Sequence, residues 1–153
     1  MRRTMVVAVV CLAAACFPTT TRPHLTLVPE ALTAEIELFV PAATRALAVA
    51  LDTDSLPVSR TEPDDGWLET PWFDAATLQP TTARVVGTDV VKIRAFVEPG
   101  RANHSIITIE AVYRPLLDPS RDGRELERHL PAEHPVALRV KATMERLQAE
   151  YGG

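Results

Sequence analysis

Glu125, Glu127, His129, Glu133 and His134 form the densest run of side chains able to hold a metal. Their spacing fits no standard site: the two histidines stand five apart with Pro131 between them. Asp52-Thr53-Asp54-Ser55 opens like a calcium loop, but Leu56 and Pro57 follow and no Glu closes it at the twelfth position. Nucleophilic catalysis would require an activated Ser or Cys with a base in reach, and no Gly-x-Ser-x-Gly frame occurs. Ser120 sits in a polar stretch that reads as a turn, and the adjacent Asp64 and Asp65 sit in a turn composition where solvation keeps carboxylates ordinary. There is no Gly-rich phosphate loop and no dinucleotide fingerprint. The chain therefore reads as a non-enzyme with no cofactor and no metal.

Two groups of residues instead suit recognition. Trp67 and Trp72, followed by Phe73, supply large apolar surface near a sheet edge, and their opposite strand parity sends one of them away from the core as a candidate partner contact. Lys92, Arg94, Glu110 and Arg114 share one parity on two neighbouring strands, which predicts a solvated face whose opposite charges pair across the strands and could meet a partner.

The elements that must position these residues follow from periodicity. Ala34, Ile36 and Leu38 alternate with Glu35 and Glu37 as a half-buried strand, and a helix follows with Pro41 in its first turn and Val40, Ala43, Leu47, Ala50 and Leu51 on one stripe. One continuous helix from Glu30 to Leu51 is the weaker reading, because Pro41 in its interior would cost about 3 kcal/mol. Residues 57–61 and 67–73 form a hairpin across Pro63-Asp64-Asp65-Gly66, with Pro71 placing the second arm at an edge or bulge. Residues 88–98 and 105–114 alternate cleanly and pair antiparallel across Pro99 to His104. Residues 115–134 read as a long polar loop with one helical turn. The last helix starts at Pro135 and carries Val136, Val140, Met144, Leu147 and Tyr151 on one stripe. The order β-α-β-β-β-β-α predicts an α+β, two-layer domain: an antiparallel sheet with helices on one face and water on the other.

The N-terminus gives location. Arg2 and Arg3 precede an apolar stretch from Met5 to Ala15, whose eleven residues make roughly 16 Å of helix, about half of a membrane's hydrocarbon core. This is the order of a cleaved signal peptide, residues 1–15. Leu12-Ala13-Ala14-Ala15-Cys16 resembles the lipobox of bacterial lipoproteins, which implies that Cys16 becomes the acylated mature N-terminus and anchors the protein in a membrane. An ordinary signal peptidase cutting after Ala13 or Ala15 would leave Cys16 a plain thiol. Residues 16–32, rich in Pro and Thr, read as a flexible tether of about 3 Å per residue, and residues 33–153 as one domain. Removing Arg2 and Arg3 from 16 basic residues leaves 14 against 20 acidic ones, a formal charge of −6. That balance argues against nucleic acid as a partner. With Cys11 removed, no intramolecular disulfide is available.

The element order, the lipobox and the run Asp64-Asp65-Gly66-Trp67-Leu68-Glu69-Thr70-Pro71-Trp72-Phe73 resemble small bacterial envelope lipoproteins with a BamC-like helix-grip domain. The resemblance implies a helix-grip, TBP-like fold, an outer-membrane anchor with the domain facing the periplasm, and a protein partner in outer-membrane assembly. Some helix-grip folds instead hold a small apolar ligand or lipid between sheet and helices, which is the alternative expectation.

Overall fold

The computed structural model describes residues 20–153, so the expected signal peptide, residues 1–15, and Cys16 lie outside the described residues. The elements run β1 (Leu32–Ile36), α1 (Val40–Thr53), β2 (Arg60–Glu62), β3 (Trp67–Glu69), β4 (Phe73–Asp74), β5 (Gly87–Pro99), β6 (Ser105–Arg114), β7 (Arg128–His129) and α2 (Pro135–Tyr151). The domain is α+β, with an antiparallel sheet and two helices. Alternation makes β5 and β6 the long central hairpin, in which Arg94 faces Glu110 and Phe96 faces Thr108. The tight connection between them places Asn103 at φ 65°, a conformation Asn tolerates better than most residues. On the β6 side β1 pairs, with Ala34 opposite Ile107; on the β5 side come β3 and then β2, giving the order β1-β6-β5-β3-β2. Gly66 turns the chain between β2 and β3 at φ 65°, and a Cβ there would lie 2.2 Å from the Val97 carbonyl oxygen. Only glycine fits that approach.

Both helices cover the same face. α1 buries Ala43, Leu47 and Leu51, and α2 buries Val136, Val140, Met144 and Leu147, against Ile36, Ile93, Val97, Ile107 and Ile109 of the sheet. Each of the Val, Leu, Ile and Met side chains among them contributes about 1.5–3 kcal/mol when fully buried. Pro41 and Pro135 sit in first helical turns, and His134 caps α2 by accepting the Val136 N–H on its ring nitrogen at 3.2 Å. Asp54, at the end of α1, joins the helices: its carboxylate accepts from Arg146 at 2.7 Å and from the Thr143 hydroxyl, and its carbonyl accepts from Arg139 at 2.9 Å.

Three sequence expectations are corrected. Residues 67–73 are not one strand: at Thr70 the chain turns back on β5, where Thr70 Oγ1 accepts the Ile93 N–H at 2.9 Å, and pairing resumes only at β4. Residues 115–134 are not purely polar loop, because β7 pairs with β6 and Leu126 and Leu130 are buried. The sheet face opposite the helices is not open to water. Trp67, Val90, Phe96, Val112 and Leu126 are buried outside the main core, and residues 20–28 together with 122–127 lie over that face.

Candidate functional site

On this second face, strand parity sets Lys92, Arg94 and Phe96 of β5 beside Glu110, Val112 and Arg114 of β6 and Trp67 and Glu69 of β3. At its centre lies a charge cluster. Arg94 donates to Glu110 at 2.9 Å and takes both oxygens of Glu127, at 2.7 and 3.0 Å. Arg124 donates to Glu110 and Glu127 at 2.7 Å each, and Arg114 adds a bond to Glu127 at 3.2 Å. The Glu110 and Glu127 side chains are 0% and 2% exposed, so this is a buried network rather than a solvated face. Burial pushes the Glu127 carboxyl up, but its hydrogen bonds and charge contacts with Arg94 and Arg124 outweigh that and hold it below the usual carboxylate range.

A peptide strap, residues 20–28, crosses this face. Its Val28 N–H donates to Glu110 at 2.7 Å, and its Thr26 carbonyl accepts from Arg124 at 2.5 Å. Further along, the Arg22 guanidinium lies 4.0 Å from the centre of the Phe96 ring and pairs with Glu98 at 2.9 Å, while Thr21 donates to Asp65 and accepts the Trp67 indole N–H at 3.3 Å. Within the stretch read as a flexible tether, residues 20–28 therefore have fixed partners on the domain. Between strap, sheet and the 122–127 segment opens a cleft of about 400 Å³, walled by Trp67 and Leu25 and lined by Arg60, Lys92, Arg114 and Arg124.

The predicted contact residues come together here, but with altered exposure. Lys92, Arg94, Arg114 and Trp67 line the cleft, Glu110 stands behind it, and Trp72 carries the Arg114 guanidinium at 4.8 Å from its ring centre. Trp67 is the tryptophan that points away from the helices, yet the strap and Arg60 leave it 2% exposed. Arg94 and Glu110 are likewise buried, so none of these three presents a free contact surface. The polar run at 125–134 disperses: Glu127 joins the cluster, Glu125 pairs with Arg121, and His134 caps α2. His129 sits under α2 with its Nδ1 buried and without a hydrogen-bond partner among the described residues.

Arg60, Glu69, Arg124 and Glu127 were missed from the sequence as site residues. A signal existed for the last two: Leu126 and Leu130 repeat at helical spacing inside a polar segment, which marks a loop that packs. Among the described residues, no group of three or more His, Cys, Asp or Glu side chains converges as a metal site, and no helix is long and apolar enough to cross a membrane. No family model matches the chain, and no curated protein or solved structure shows significant similarity to it.

Proposed function

We propose that this chain is a non-enzymatic lipoprotein of the bacterial cell envelope, anchored through Cys16, whose domain binds an extended segment of a protein partner on the second face of its sheet. The domain is read as helix-grip-like, with α1 and α2 packed side by side on one face of the sheet. One observation carries the binding reading: this face already holds a peptide. The strap is gripped through main-chain groups, Val28 N–H on Glu110 and Thr26 carbonyl on Arg124, so the grip does not depend on side-chain identity at those positions. The anchor would lie close by, since Cys16 and Thr20 can be separated by at most about 14 Å of chain.

The alternative, an apolar ligand between sheet and helices, has less support. The cavity there, lined by Leu32, Ile109, Ala111 and Val140, measures about 60 Å³, well below the ~300 Å³ of a small-molecule site. The test is site-specific photo-crosslinking in the native membrane. A photoreactive residue replacing Arg60, at the cleft rim, should trap a discrete envelope protein, and a Cys16→Ser form should lose both the crosslink and membrane retention. A defined lipid retained through native mass spectrometry, with no crosslinked protein, would refute the proposal.

A further inference from the structure

The cleft beside the strap contains more hydrogen-bond donors than the chain itself satisfies. The Arg114 guanidinium, stacked on Trp72, spends Nη2 on Glu127, while its buried Nε has no partner among the described residues. Arg60, stacked on Trp67 at 4.7 Å, spends Nε on Glu62, and its two Nη groups make no hydrogen bond among the described residues. Lys92 carries three N–H donors and faces one carboxylate, Glu69, at 2.9 Å. The carboxylates of the same wall are already occupied: Glu127 takes three arginines, Glu69 takes Lys92 and the edge of Arg94, and Asp122 accepts the Arg124 backbone N–H. Five cationic side chains line the cleft against three carboxylates.

The missing occupant must accept hydrogen bonds and carry negative charge. The unspent donors come from three strands, β2, β5 and β6. One guanidinium saturates a carboxylate's two oxygens, whereas a phosphate offers three or more oxygens around a centre. Stacking fixes both guanidinium planes before the ligand arrives, which suits bidentate contact. We infer that this cleft is a binding site for a phosphate group, carried by inorganic phosphate or by a lipid headgroup. Thr21, Pro23 and Leu25 of the strap form one wall, so occupancy stabilises the docked strap.

The test uses the mature chain in detergent at low ionic strength, followed through tryptophan fluorescence and calorimetry. Inorganic phosphate should bind saturably, one per chain. Arg114→Gln should weaken binding about tenfold. Arg60→Gln, on an exposed rim position where misfolding cannot confound the result, should weaken it by about three- to tenfold. Lys141→Gln, on the exposed face of α2 and away from both cleft and strap, should leave binding within about twofold. If the source is lipid, phosphatidylglycerol vesicles will bind the Cys16→Ser form while inorganic phosphate does not, with the same ranking of variants. No saturable response to either probe, or equal weakening by Lys141→Gln and Arg60→Gln, overturns the site.

Discussion

Replacing Arg94 with Met should destabilise the domain by about 3 kcal/mol. Arg94 makes three hydrogen bonds to two carboxylates that are essentially without solvent access. A charge-assisted bond contributes about 1.5–3 kcal/mol, and removing one partner of a buried ion network costs about 3–5 kcal/mol. The lower end applies because Glu110 keeps Arg124 and the Val28 N–H, and Glu127 keeps Arg114 and Arg124. For a domain of this size the loss corresponds to a fall in Tm of about 10–15 °C. Urea denaturation followed by circular dichroism, with matched thermal scans, measures it. Combining Arg94→Met with Glu127→Leu removes both partners of the two-oxygen pairing at once, so the double variant should cost less than the sum of the two single variants. A cost below about 1 kcal/mol for Arg94→Met, or strictly additive losses in the double variant, would refute the buried-network argument.

Other outcomes follow from the same geometry. Glu127 titrates below the usual carboxylate range in the fold, so it contributes stability above about pH 4.3 that disappears as pH falls through its depressed folded value. With neutral-pH stabilities matched by urea, the native chain should therefore lose stability more steeply on acidification and begin acid unfolding at a higher pH than Glu127→Gln; the reverse order would refute the reasoning. Gly66→Ala should cost at least about 2 kcal/mol, because a positive φ and the Val97 carbonyl both exclude a Cβ, whereas Gly87→Ala, also at positive φ but with open space around it, should cost about 1 kcal/mol; urea midpoints compare them. Val28→Pro removes the N–H that Glu110 accepts and should speed proteolysis of residues 20–28 and red-shift Trp67 emission while the helices stay intact by circular dichroism. Asp54→Ala cuts the link between α1 and α2 and should cost about 1 kcal/mol.

The hairpin of residues 88–98 with 105–114, the Pro-initiated helices and the common face of Lys92, Arg94, Glu110 and Arg114 were all legible in local period and parity. Parity, however, says which side a residue takes and not what lies over it. The cover on this face comes from chain 82 residues away from Glu110 in the case of Val28, and from a loop 33 residues away from Arg94 in the case of Glu127. Such contacts leave no imprint on a short window of sequence. Arg94 and Glu110 looked like surface because alternating charged residues on a strand usually are. The break at Thr70 to Trp72 was partly legible, since Pro71 cannot donate to a ladder, but the way Thr70 closes the gap on Ile93 depends on a side chain bonding across strands.

The charge cluster also bears on how this sequence can evolve. Arg94, Glu110, Arg114, Arg124 and Glu127 share so many bonds that the loss of any one charge removes a partner from at least one of the two buried carboxylates or strips a carboxylate from two or more arginines. Substitution at one of these positions confines the changes available at the other four. Among descendants of this chain the five should drift as a block, either kept together or exchanged together for apolar side chains, while the exposed charges of α2 vary one at a time.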